Sequence, residues 1–251
     1  MRRRMLLLGL AAAGLAPAAG RGEVRLLDPA TVAAVHRAHA GARGARARVL
    51  FVGNSFTYEH DVPARVAALA EAAGRPIRVA MIAEGGARLA DLLVRPGMAA
   101  LLGEIGWDAV VLQDHSTTAL FPAEAARSRA AIGAAAGRAA PAPVVLFTPW
   151  ARAPGHALYR RRSTEAFRAP GSPAAMTAET AAAFRVAARG ASAHVAPVAT
   201  RWAEATAEGA RLYGADGYHA NAAGADLAAE TLWATLAPLL PRAGESAVRT
   251  D

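Results

Sequence analysis

The sequence predicts an α/β protein, a three-layer α/β/α sandwich built around a central parallel sheet. Three observations carry this. Short apolar runs rich in Val, Leu and Ile recur between longer Ala-rich segments. Each run is continuous rather than alternating, as in strands buried on both faces. Each ends in a glycine-containing or polar turn before the next helical segment, the rhythm of strand–helix repeats.

The elements follow in order. Asp28-Pro29 opens a short helix to His39, with Asp28 as cap and Pro29 at the first position. A loop spans 41–47. Val49 to Val52 is the first strand, closed by Gly53-Asn54-Ser55, and Val62 to Ala73 is a helix stopped by Gly74. Ile77 to Ile82 is the second strand, followed by Gly85-Gly86. Leu89 to Ile105 reads as a helix broken near Pro96-Gly97, because proline clashes with the preceding turn. Ala109 to Leu112 is the third strand, Pro122 to Ala139 an Ala-rich helix, and Val144 to Phe147 the fourth strand. Residues 151–175, rich in Pro, Gly and Arg, read as a long functional loop. Ala175 to Ala188 is helical, His194 to Val198 a short fifth strand, and Ala222 to Leu240 the closing helix.

The 251-residue length suits one domain with a continuous core. With 54% hydrophobic and 19% charged residues, extensive disorder is not expected. The formal charge is +8, yet the arginines are spread along the chain and no Lys occurs, so a nucleic-acid stripe is not indicated. A basic surface is instead drawn to acidic polymers such as envelope polysaccharide or anionic headgroups. The absence of cysteine removes disulfides, thiolate metal sites and cysteine nucleophiles. Residues 1–20 read as a signal peptide: Arg2, Arg3 and Arg4, an apolar run from Met5 to Leu15, then Ala16-Pro17-Ala18. Export is therefore expected, with Arg3-Arg4 resembling a twin-arginine signal. Residues 21–47 form an N-terminal segment, 48–242 the catalytic domain and 243–251 a tail.

Ligands in open parallel sheets bind beyond the carboxyl ends of the strands. Three turns converge there: Gly53-Asn54-Ser55, Gly85-Gly86 and Gln113-Asp114-His115. Ser55 can project over the sheet edge, although a serine needs a base to become a nucleophile. Asp216-Gly217-Tyr218-His219, just before the last helix, supplies one: an imidazole to take the proton and a carboxylate to orient it.

Gly-Asn-Ser-Phe-Thr after the first strand, with Asp-x-x-His before the last helix, resembles the SGNH/GDSL hydrolase superfamily. The resemblance spans roughly residues 48–240, and is nearest to a branch whose first block reads Gly-Asn-Ser-Phe-Thr. It implies a flavodoxin-like hydrolase fold with Ser55 as nucleophile, His219 as general base and Asp216 as its orienting partner. It also implies an oxyanion hole from the Ser55 N–H, a glycine N–H after the second strand (Gly86) and a carboxamide after the third. The family's Asn is missing in that third block, where Leu112-Gln113-Asp114-His115-Ser116 stands, and Gln113 is the expected substitute. Asn54, His115 and Trp150 are expected to touch substrate, and the arginines Arg152, Arg160, Arg161, Arg162 and Arg168 a sugar or acidic group. Trp202 and Trp233 are expected in the core.

The expected activity is ester hydrolysis through an acyl-enzyme, with no metal or organic cofactor. The substrate class runs from lipid esters to O-acetylated carbohydrate, with deacetylation of a carbohydrate favoured. Two alternatives stand beside it: a non-catalytic glycan-binding module on the same fold, and a metal-dependent hydrolase using Glu59, His60, Asp61, Asp114 and His115 with Asp216 and His219.

Overall fold

A computed structural model describes residues 29–40 and 46–241. The expected signal peptide, part of the 21–47 segment and the 243–251 tail lie outside the described residues. Five parallel strands form one sheet in the order β2-β1-β3-β4-β5: β1 (Ala47–Gly53), β2 (Ile77–Ala83), β3 (Ala109–Gln113), β4 (Val144–Phe147) and β5 (His194–Ala196). The order reverses at β1, which has β2 on one side and β3 on the other. That switch point is where the loops part to leave a crevice.

Because strand side chains alternate, the sheet buries two separate cores. Val49 and Phe51 of β1, with Val111, Val145 and Phe147, pack against α3 (Val62–Ala72), α8 (Val198–Ala207) and α9 (Ala222–Leu236). Leu50 and Val52, with Val110, Leu112 and Leu146, face α1 (Pro29–His39), α4 (Leu89–Leu93), α5 (Met98–Glu104), α6 (Pro122–Ala139) and α7 (Pro173–Ala191). Helices thus cover both faces, and the three-layer α/β/α sandwich is the observed architecture. Among the described residues no helix is long and apolar enough to cross a membrane.

Three boundaries differ from expectation for local reasons. The helix α2 (Ser55–Tyr58) starts directly on Ser55, because Asn54 caps it by accepting from the Phe56 N–H. The loop after β4 contains a 3₁₀ turn at Ala157–Arg160 and ends at Pro173, where the Ser172 hydroxyl caps α7. The segment from Val198 is helical, not strand. Val198, Ala199 and Trp202 are all buried, as one face of a helix requires.

Candidate active site

The carboxyl ends of β1, β2 and β3 are held together by side chains of the turns themselves. Asn54 Nδ2 donates to the Ala87 carbonyl at 3.0 Å, tying the first turn to the second. Asp114 Oδ1 accepts from Leu89 N at 2.8 Å and from His115 N at 2.7 Å, tying the second to the third. Each bond also satisfies a backbone group that would otherwise be buried unpaired.

Ser55 sits at the first position of α2 and is largely buried. His219 Nε2 lies 2.9 Å from Ser55 Oγ, and His219 Nδ1 lies 2.6 Å from Asp216 Oδ2. A carboxylate only accepts, so Nδ1 carries a proton and Nε2 is left to accept from the serine hydroxyl. Asp216 Oδ1 accepts from the N–H groups of Tyr218 and His219 at 2.9 and 3.0 Å, which fixes the carboxylate against its own loop. Burial pushes the Asp216 carboxyl up, but these two N–H groups and the imidazole outweigh it and hold the carboxyl below its usual range.

The loop carrying Asp216 and His219 is braced by the chain that leaves β4. Trp150 Nε1 donates to the Tyr218 carbonyl, Ala153 N to the Gly217 carbonyl and the Tyr213 hydroxyl to the Ala151 carbonyl, at 2.9, 2.8 and 3.0 Å. Trp150 is 1% exposed and stacked between Phe56 and Trp202, at ring separations of 4.2 and 4.0 Å. Its expected place against substrate is therefore corrected: the ring's two faces are occupied, and it supports the site from beneath. Asn54 is corrected likewise, since both ends of its carboxamide are used within the fold. Trp202 is in the core as expected, whereas Trp233 is only partly buried beneath the Arg75 guanidinium.

Gln113 also departs from expectation. Its side chain is 1% exposed and sits beneath the first turn, where Oε1 accepts from Asn54 N and Thr57 Oγ1 while Nε2 donates to the Asp114 carbonyl. As the last residue of β3 it points towards its neighbour β1, so it organises the turn that carries Ser55 and does not present a donor to substrate. Gly86, the expected glycine donor, lies in the turn after β2. Its φ of +70° turns the chain out of β2, and open space lies where a Cβ would stand. Among the described residues neither the Ser55 N–H nor the Gly86 N–H has a protein acceptor.

Glu59 was noticed in the sequence only as a candidate metal ligand. Its Oε1 lies 3.3 Å from His219 Nε2, on the same edge as Ser55. The usable signal was its spacing, four residues after Ser55 and so one helical turn away. His60 and Asp61 follow with φ of 56° and 51°, a left-handed pair that costs about 1–3 kcal/mol per residue and tends to persist at functional sites. Burial pushes the Glu59 carboxyl up, Asp216 adds to this, and His219 and His60 oppose it. Arg152, one of the loop arginines expected to contact a sugar or acidic group, also lies beside the site. It is 8% exposed, with its guanidinium 4.2 Å over the Tyr218 ring and 5.9 Å from that of Phe56. Arg160, Arg161, Arg162 and Arg168 are exposed. Among the described residues no group of three or more His, Asp or Glu side chains converges to hold a metal.

No family model and no curated protein matches the chain. Solved structures do. An SGNH hydrolase from Slackia heliotrinireducens is 32% identical with a TM-score of 0.64, over 76% of this chain and 99% of that one. A DUF4886 family protein from Bacteroides uniformis is 19% identical at TM-score 0.58, covering 76% and 83% of the two chains. A lipase/acylhydrolase from Enterococcus faecalis is 17% identical at TM-score 0.57, covering 78% and 98%. The last two share the fold; the first, matched over nearly its whole length, shows more. The chain belongs to the SGNH hydrolase family.

Proposed function

We propose that the protein is a serine esterase that removes a small acyl group, acetyl foremost, from a hydroxyl-rich alcohol of the carbohydrate kind. The observation that carries the mechanism is the continuous relay from Asp216 Oδ2 through His219 to Ser55 Oγ, at 2.6 and 2.9 Å. Ser55 Oγ attacks the ester carbonyl as its proton passes to His219 Nε2. The imidazolium is stabilised by Asp216 and returns the proton to the leaving alcohol oxygen. The negative oxygen of the tetrahedral intermediate receives the N–H groups of Ser55 and Gly86. Water then adds to the acyl-enzyme with His219 as base, releasing the acid and restoring Ser55.

The substrate class is supported by the surroundings of Nε2. The leaving oxygen must approach this nitrogen to be protonated, which brings the alcohol within reach of the Glu59 carboxylate beside it. A carboxylate there accepts from hydroxyl groups flanking the ester, as on a sugar, and gains nothing from a plain alkyl alcohol. The relay also lies near the surface, with the Asp216 side chain 40% exposed, which suits a large soluble alcohol.

The test is hydrolysis of p-nitrophenyl esters from acetate to octanoate, together with acetate release from acetylated mono- and oligosaccharides. Ser55→Ala and a chelator-treated sample run alongside. Expected are activity lost in Ser55→Ala, unaffected by chelator, highest on acetyl, and present on acetylated sugar. Faster octanoate cleavage would overturn the small-acyl reading. Retention of glycans with no turnover would replace the esterase by the binding module.

A further inference from the structure

We propose that His115, as a neutral imidazole, supplies the third donor of the oxyanion hole through its Nε2–H. The inference rests on Ser55 being the nucleophile and goes beyond it, because the carboxamide of Gln113 is consumed inside the fold.

Position comes first. β1 and β3 are adjacent and parallel, with Val52 opposite Leu112. Ser55 and His115 each stand three residues beyond that pair, in the turns that leave these two neighbouring strands. Neighbouring strands run about 4.8 Å apart, a separation a substrate carbonyl can bridge. The Asp114 carboxylate holds the His115 N–H and the Leu89 N–H on one oxygen, which binds this turn to the one that carries Gly86. His115 also has Arg88, two residues past Gly86, and Arg152, which overlies Phe56 and Tyr218, among its charged neighbours. Its charged neighbours thus come from the turn after β2 and from the chain leaving β4.

Chemistry comes second. The Thr117 N–H donates to His115 Nδ1 at 3.4 Å, and the Thr117 hydroxyl lies 3.0 Å from the same nitrogen. An N–H can only donate, so Nδ1 is the acceptor and the ring proton resides on Nε2. Among the described residues Nε2 has no partner. Burial, then Arg88 and Arg152, lower the His115 pKa to about 4, against the pull of Asp114. The ring is accordingly neutral at working pH, and its N–H is a fixed donor for an oxygen that becomes negative only in the transition state. It transfers no proton: the hydrogen stays on Nε2 while the oxyanion forms and collapses.

The experiment compares wild type with His115→Ala, His115→Asn and Ser55→Ala on p-nitrophenyl acetate, with thermal unfolding measured for each. His115→Ala is expected to lower kcat about 10²–10³-fold with KM little changed, the loss typical of one oxyanion donor. His115→Asn, which keeps an N–H donor, should recover at least tenfold of that loss. Ser55→Ala should fall to background, below His115→Ala. If folded His115→Ala keeps more than half of wild-type kcat while Ser55→Ala is inactive, the proposal is overturned and the nucleophile assignment survives. Failure of His115→Asn to exceed His115→Ala would also overturn it. Full activity in Ser55→Ala would instead remove the reading on which it rests.

Discussion

Gly224 lies in the first turn of α9, five residues after His219, and its replacement by Ala offers a sharp test of how the site is supported. A Cβ there would stand 2.4 Å from the Leu212 carbonyl oxygen and 2.5 Å from the edge of the Trp202 ring. Neither neighbour can step aside cheaply. The Leu212 carbonyl accepts from Asn221 N at 2.9 Å, and Trp202 is stacked at 4.0 Å on Trp150. Overpacking of this kind costs about 1–3 kcal/mol. For a domain of this size each kcal/mol lowers Tm by roughly 2–4 °C, so Gly224→Ala should melt roughly 2–12 °C below wild type. Gly133, inside α6, is the control, because nothing lies within 4 Å of where its Cβ would stand. Relief of glycine's backbone freedom should there raise stability by about 0.5–1 kcal/mol. The strain at Gly224 pushes the loop between Leu212 and Asn221, which carries His219. A displacement of about 1 Å at the reacting groups can cost ~10²-fold in rate, so kcat on p-nitrophenyl acetate should fall together with Tm. Thermal unfolding by circular dichroism and initial rates at 25 °C read both. An unchanged or higher Tm for Gly224→Ala would refute the view that rigid packing of α9 on Trp202 positions the imidazole.

Two further outcomes follow from the same geometry. In Asp216→Asn, Oδ1 still accepts from the Tyr218 and His219 N–H groups, so the loop keeps its shape and Tm changes little. The new NH₂ faces Nδ1, drives the ring proton to Nε2 and blocks acceptance from Ser55, so kcat should drop about 10³–10⁴-fold; a loss under tenfold would argue against the relay. Stability should also fall as pH is lowered from 6.5 towards 4. The His115 pKa goes from 6.5 to about 4 on folding, so the unfolded chain binds the proton first. At about 1.4 kcal/mol per pH unit this withdraws on the order of 3 kcal/mol, with no contribution above pH 6.5. His115→Asn should flatten that part of the pH–stability curve measured by urea unfolding, and an unchanged slope would show that His115 is not its source.

The parts of the fold legible in the sequence were those set by local pattern. Val49 to Val52 and Val144 to Phe147 announce buried strands because both faces are covered and every position is apolar. Pro96-Gly97 marks the true break between α4 and α5. The parts that were not legible depend on which way a side chain turns after a strand ends. Gln113 ends β3 and His115 follows it, both with suitable chemistry, and nothing in their order says that the first lies under the turn while the second does not. Trp150 posed the same difficulty, since an aromatic residue in a long loop suits a sugar platform as well as a buried stack. Only Phe56 and Trp202, distant in sequence, settle which it is. Helix α8 was missed because Val198 and Thr200 are β-branched and weaken its helical signal. Packing of Val198, Ala199 and Trp202 on the sheet overrides that weakness.

The placement of the stiff material explains how a histidine on a surface loop can be held accurately. The Asp216–His219 loop lies at the surface and has little apolar area to bury, so burial cannot position it. It is held instead by three hydrogen bonds to the chain leaving β4 and by a column of rings running Phe56, Trp150, Trp202. Phe56 directly follows Ser55, and its ring meets that of His219 edge-on at 5.8 Å. Trp150 therefore touches both halves of the relay: its face supports the residue beside the nucleophile, and its Nε1–H holds the loop of the base. Serine and imidazole, separated by 164 residues of sequence, are thus referenced to one buried side chain. Such an arrangement keeps the reacting atoms at a fixed separation while leaving the imidazole partly open to solvent, its side chain 17% exposed.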